Sequence, residues 1–431
     1  MWAIRLIAAS VPGLVAIGFL WAAFRQIRAR ALLRGRFKLL SVLNAVHGYQ
    51  ILELRPCADT VTSDSAEMTI THFDAHDPKS LLGAVAVRMR RHVAVVNHLF
   101  GTIACALPLL AHAQFAPVER TDFDPAGLRT IALPSVTCAG VWNTPAFACR
   151  PVTLPVYLAQ SPSGKHTALV VISHGSGGLD KRHSDYARSL ASAGIDAAVI
   201  DHWTPRGVTK VHFDYNAARE KGAHTQSIAI DAMVVAGRLK AMPQWNDAKL
   251  GYIGESMGGG AVIHATRPFI SKIVEQATGL SAPAWAAAVA LYPGCFERST
   301  LERFQPVPML IVIGEMDTDV PAEVCAKQAQ WMNARGGTVE VQVLAGEFHD
   351  FDAPSPVAYS ARAQNPAGCS SLRDGDRLIL ESSGKAFPAT PQGLAAMQSE
   401  CMTRGVTSGN RGNPKTGYDR WIEFFKGRLL Q

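Results

Sequence analysis

The sequence lacks the features that mark several common functions. No basic stripe interleaved with aromatics runs through its main part, which argues against a nucleic-acid partner. No CxxC pair and no Cys/His cluster with zinc-like spacing occurs, so no metal is expected. There is no internal repeat. Charged residues are sparse at 18%, against 48% hydrophobic, a balance that suits a globular core and not a disordered chain. With 431 residues, that core can be one large domain with appendages or two domains.

The net charge of +7 is unevenly spread. Residues 1–113 hold 12 Lys/Arg and 6 Asp/Glu, which leaves 30 against 29 for residues 114–431. The main part is thus nearly neutral, and the basic character belongs to the N-terminal part. Two long apolar runs lie there. Residues 2–24 are followed by Arg25, Arg28, Arg30, Arg34, Arg36 and Lys38, the length and flank of a membrane span with a cytoplasmic basic side. From Met89, a basic start (Arg90, Arg91, His92), an apolar middle and "AHA" before Gln114 read as a signal peptide or second span over 89–113. A signal peptide at residue 89 favours Met89 as the initiator and 1–88 as a doubtful extension. The other arrangement has two spans, with membrane attachment through them. Both place residues 114–431 outside the cytoplasm, periplasmic or secreted.

Six cysteines fall in the main part: Cys138, Cys149, Cys295, Cys325, Cys369 and Cys401. An even count in an exported chain permits three disulfides, and sequential pairing would staple three local loops. From about residue 152, short apolar runs alternate with amphipathic stretches. "ALVVIS", "IDAAVIDH", "KLGYIG", "AAAVALYPG", "PMLIVIGE" and "VEVQVLAG" read as strands. "YARSLASAG", "HTQSIAIDAMVVAGRLKAM", "AEVCAKQAQWMNARG" and the terminal "GYDRWIEFFKGRLL" read as helices. Such alternation predicts a mostly parallel sheet flanked by helices on both faces, with ligands at the carboxyl ends of the strands. Residues 353–411, rich in Pro, Gly, Ser and Asn, read as a loop-rich insertion with one helix near "PQGLAAMQSEC".

Within this pattern, Gly254-Glu255-Ser256-Met257-Gly258 is a G-x-S-x-G between a strand and a helix, where a sharp turn lifts the serine hydroxyl clear of the sheet. A serine hydroxyl is a weak nucleophile and needs a base within reach. "IVIGEMDTDVP" offers Asp317, with Asp319 as competitor, and "LAGEFHDFD" offers His349, flanked by Asp350 and Asp352. The order Ser256, Asp317, His349 is that of α/β-hydrolases. The oxyanion donors expected are the N–H of Met257 and an N–H from "HGSGG", that of Ser176 or Gly177. His174 reads as a structural loop residue, and His202, His212, His224 and His264 as surface or packing residues.

The blocks "VVISHGSGGLD", "YARSLASAGIDAAVIDHWTPRG", "GYIGESMGGGAV", "LYPGC", "IVIGEMDTDVPAEVC" and "LAGEFHDFD" resemble the dienelactone hydrolase family of α/β-hydrolases over residues 154–352, plus the terminal helix. The resemblance implies an α/β-hydrolase fold, no cofactor, and the triad roles for Ser256, Asp317 and His349. It also implies a Cys295–Cys325 disulfide, through "YPGC" and "VPAEVC". The chain departs from the classical members, which are cytoplasmic and carry a cysteine nucleophile where Ser256 stands. The expected activity is therefore hydrolysis of a small ester or lactone through an acyl-enzyme, and dienelactone is not carried over as its substrate. The alternatives are a prolyl-peptidase-type peptidase, although no large gating domain is visible, or a silent hydrolase scaffold used for binding.

Overall fold

The computed structural model describes residues 123–139, 148–209 and 211–431, together with three strands nearer the N-terminus. These are β1 (Ile4–Ala9), β2 (Phe37–Leu40) and β3 (Tyr49–Pro56), antiparallel in the order β1-β3-β2 within a unit spanning Met1–Gln114. Apart from β1, the apolar run 2–24 lies outside the described residues, as does all of 89–113. Among the described residues, no helix is long and apolar enough to cross a membrane.

The second unit, Phe115–Gln431, is built on an eight-stranded sheet. Its strands are β4 (Arg129–Ala139), β5 (Ala148–Ala159), β6 (Ala168–Ser173), β7 (Asp196–Ile200), β8 (Lys249–Glu255), β9 (Ala287–Leu291), β11 (Pro308–Gly314) and β12 (Thr338–Leu344). The short β10 (Glu297–Ser299) branches off into a second sheet. The order is β12-β11-β9-β8-β6-β7-β5-β4, with β7 through β12 parallel and β5 and β4 added antiparallel at one edge. Central strands buried on both faces read as unbroken apolar runs. All residues of β6, β7 and β9 are buried accordingly.

The described helices of this unit are α1 (Lys181–Ser192), α2 (Tyr215–Glu220), α3 (Thr225–Lys240), α4 (Met257–Ala265), α5 (Pro268–Thr278), α6 (Ala322–Asn333), α7 (Pro391–Cys401) and α8 (Tyr418–Leu429), with α7 packed on the smaller sheet. β8 separates the two layers. A side chain at Gly251 would run into Phe425 and Leu429 of α8, whereas one at Gly254, on the opposite face of the strand, would run into Gly258 of α4. Tyr186 of α1 packs its ring on Tyr418 and Trp421, so α1 and α8 share a face.

Residues 353–411 are more regular than their composition predicts. They form β13 (Ala358–Asn365), β14 (Ser371–Asp374), β15 (Arg377–Leu380), β16 (Ala386–Pro388), α7 and β17 (Thr403–Ser408). β13 pairs with β17, and β14 to β16 extend from β10. These strands are short and half exposed, so they carry little apolar alternation. The disulfides are Cys138–Cys149, joining paired positions of β4 and β5, Cys295–Cys325, and Cys369–Cys401 inside the insertion.

Candidate active site

Ser256 sits between β8 and α4 with φ 51° and ψ −114°. This is a left-handed backbone that costs a residue with a Cβ roughly 1–3 kcal/mol. The turn closes because its neighbours have no side chains. A Cβ on Gly254 would strike the Gly258 carbonyl, and one on Gly258 would meet the Ser173 and His174 carbonyls at 2.5 and 2.8 Å. The Ser256 N–H donates to Leu291 O at 2.9 Å, which ties the elbow to β9.

The loops after β11 and β12 bring their side chains to the same point. His349 Nε2 lies 3.0 Å from Ser256 Oγ, and its Nδ1 donates to Asp317 Oδ2 at 2.8 Å. Asp317 is itself held by the N–H groups of Asp319 and Val320, at 2.9 and 2.8 Å on Oδ1. Asp319 is not on Nδ1: its Oδ2 stands 3.4 Å from Nε2. Burial opposes charge on His349, but Asp317 and then Asp319 outweigh it and raise the imidazole above the ordinary histidine value.

Under this set lies a buried polar layer that motif reading did not reach. Arg182 of α1 donates through Nη1 to Asp350 Oδ1 and Tyr292 Oη, both at 2.8 Å. Tyr292 donates to Asp352 Oδ1 at 2.5 Å, and Asp352 also accepts from Tyr186. The Tyr292 ring meets the His349 ring edge-on, centroids 4.7 Å apart. The only sequence signal for this layer was the pair of aspartates beside His349, since Arg182 and Tyr292 are 168 and 58 residues away from Asp350 along the chain.

The loop 174–178 after β6 faces the elbow. Glu255 accepts from Gly175 N–H at 2.6 Å and lies 3.3 Å from His183 Nε2, so the residue before Ser256 anchors that loop. Ser176 O accepts from Val211 N–H at 2.8 Å. Met257 is the first residue of α4, where an N–H has no partner within the helix. Residues 353–411 brace the surround: Asn365 Nδ2 donates to Thr318 O at 3.1 Å, and Gly409 N–H to His349 O at 2.8 Å.

Behind the loop is a second Ser-His-Asp arrangement. Ser173 Oγ is 2.9 Å from His202 Nε2, and His202 Nδ1 is 2.9 Å from Asp231 Oδ2. All three residues are fully buried. Arg206 donates to Asp231 at 2.8 and 3.2 Å, Ser135 donates to it at 2.8 Å, and Tyr252 donates to Ser173 Oγ at 3.0 Å. His202 N–H donates in turn to His174 Nε2 at 3.1 Å, so His174 and His202 are internal braces of the loop. His224 and His264 are buried elsewhere.

The elbow, the loop after β6 and the two late strand ends lie inside one family pattern. The model of the dienelactone hydrolase family matches residues 154–368. The chain belongs to the dienelactone hydrolase family. As a member it is an α/β-hydrolase-fold enzyme that hydrolyses esters. No curated protein matches the sequence. Among solved structures it is similar to the native form of Est2, a thermophilic esterase from Thermogutta terrifontis, at 18% identity, covering 55% of this chain and 88% of that one with a TM-score of 0.39. It is also similar to Est1E from Butyrivibrio proteoclasticus, at 14% identity over 50% of this chain and 90% of that one, TM-score 0.32. Among the described residues of this family member, no group of three or more His, Cys, Asp or Glu could hold a metal ion.

Proposed function

We propose that the protein is an exported serine hydrolase that cleaves a small carboxylic ester or lactone through an acyl-enzyme. The observation that carries the reading is the line Ser256 Oγ, His349 Nε2, His349 Nδ1, Asp317 Oδ2, at 3.0 and 2.8 Å. With His349 neutral, Oγ attacks the ester carbonyl carbon while its proton passes to Nε2. The carbonyl oxygen, now an oxyanion, takes hydrogen bonds from the N–H of Met257 and that of Ser176 or Gly177. Collapse breaks the bond to the leaving alkoxide, which takes the proton from Nε2. Water then repeats the sequence on the acyl-enzyme, releasing the acid and restoring Ser256. Asp317 holds the Nδ1–H tautomer and stabilises the imidazolium. No step calls on a cofactor or a metal. Three disulfides support the export, since such bonds persist in oxidising compartments.

The test is turnover of p-nitrophenyl esters of increasing acyl length by the full chain, beside Ser256→Ala, with fluorophosphonate labelling of both. Turnover and a label at Ser256, both lost in the variant, are expected. A folded, oxidised protein that neither turns over any ester nor takes the label would overturn the reading.

A further inference from the structure

Asp319 competes with Asp317 in sequence, yet the two carboxylates stand on opposite edges of the imidazole. Asp317 holds Nδ1 at 2.8 Å, and Asp319 Oδ2 lies 3.4 Å from Nε2, the nitrogen that also faces Ser256 Oγ. Asp319 Oδ1 is buried and has no hydrogen-bond partner among the described residues. A buried carboxylate oxygen left without a donor costs stability unless a nearby positive charge compensates it. The proton that Nε2 receives from Ser256 supplies that charge 3.4 Å away. We propose that Asp319 is a second carboxylate on the catalytic base, a positioning residue that acts through His349 and stabilises its imidazolium from the Nε2 side. The inference deepens the serine-hydrolase reading and rests on it for its catalytic meaning.

The groups facing His349 are few. Asp317 and Asp319 come from the loop after β11, Asp350 from its own loop, and the Tyr292 ring from the loop after β9. Arg182 of α1 meets this set at Asp350 and Tyr292, and Tyr215 of α2 lies near Asp319. Burial pushes the Asp319 carboxyl up, His349 pulls it back, and Asp317 and Asp350 push again, leaving it at about 6. It is therefore mostly anionic above neutral pH, where His349 has to lose its proton to become a base. A second carboxylate steadies the imidazolium after proton transfer, and it also delays arrival of the neutral form as pH rises. The trade is greater charge stabilisation against a more alkaline onset of activity.

The test is a histidine NMR titration of the full chain, isotopically labelled at histidine, beside Asp319→Asn, Asp319→Ser and Asp319→Glu. Removing one of two opposite charges within 4 Å is expected to lower the His349 midpoint by about one pH unit in the Asn and Ser variants. Glu restores it, and the acid limb of kcat/KM moves with it. The backbone N–H of residue 319 that supports Asp317 survives every one of these changes. An unmoved midpoint and limb, with kcat merely lower at every pH, would reduce Asp319 to a structural residue and sink the proposal. If the parent turns over no ester and takes no label at Ser256, the serine-hydrolase reading fails, and the NMR midpoints still decide what Asp319 does to His349.

Discussion

Two Ser-His-Asp lines run through this molecule, with nearly the same spacing and opposite settings. Ser256–His349–Asp317 measures 3.0 and 2.8 Å, and Ser173–His202–Asp231 measures 2.9 and 2.9 Å. Ser256 stands on a strained turn and is partly exposed, whereas Ser173 ends a regular strand with no exposure. The electrostatics diverge too. Around His349, carboxylates outweigh burial and raise the imidazole, while around His202 burial wins and lowers it, with Arg206 opposing the pull of Asp231. Three residue types at hydrogen-bond distance therefore do not define a catalytic site. Access, backbone strain and net local charge separate the two lines, and they favour Ser256 over Ser173 as the nucleophile of the proposed reaction.

The largest separation is expected in turnover. Ser256→Ala should lower kcat by about 10⁶-fold, the scale of removing a triad nucleophile. Ser173→Ala should keep turnover and lose stability, by about 1–3 kcal/mol for the unsatisfied Tyr252 hydroxyl and His202 nitrogen it leaves. Initial rates and urea unfolding on both variants check this, and loss of turnover in Ser173→Ala with an intact fold would erase the distinction.

The acids should divide next. Asp317→Asn is expected to cut kcat by about 10⁴-fold through the wrong histidine tautomer while the fold survives. Asp231→Ala leaves the Arg206 guanidinium buried without its carboxylate and should cost about 3–5 kcal/mol. Thermal melts beside kcat for the two variants make the comparison.

The pH responses should have opposite signs. A raised pKa means that the contribution of His349 to stability is complete below the unfolded histidine value of 6.5 and is lost as pH rises through its folded value. A lowered pKa means that His202 contributes above 6.5 and that its share is lost as pH falls through its folded value. Unfolding free energies across pH, for the parent and for His349→Gln and His202→Gln, would separate the two. Removing His349 should flatten the alkaline side and removing His202 the acid side.

The smallest effect concerns the elbow. Ser256→Gly should be more stable than Ser256→Ala by about 1 kcal/mol, since only glycine takes φ 51° without strain. At Ser173, a regular strand position, glycine should instead be the less stable of the two. Equal stabilities at residue 256 would show that the turn stores no strain.

Motif and periodicity made much of this legible. The elbow around Ser256, the ends of β11 and β12, and the alternation of strands and helices are all local patterns a few residues long. Other parts had no such signal. The short strands of the insertion have too few buried positions to alternate. His202 reads as a packing residue until β7 is set beside β6, because its partners Ser173 and Asp231 are each 29 residues away.

By itself, the sequence determined the parallel strands, the helices α1, α3, α6 and α8, and which side chains stand at strand ends, because backbone propensity and apolar period act within a few residues. Only the tertiary structure decided that Asp317 takes Nδ1 and Asp319 the Nε2 side, that Arg182 and Tyr292 underlie His349, and that a second Ser-His-Asp line is sealed. Those outcomes depend on strand order and burial. Here the sheet runs β12-β11-β9-β8-β6-β7, so neighbours in space are set by crossovers and not by distance along the chain.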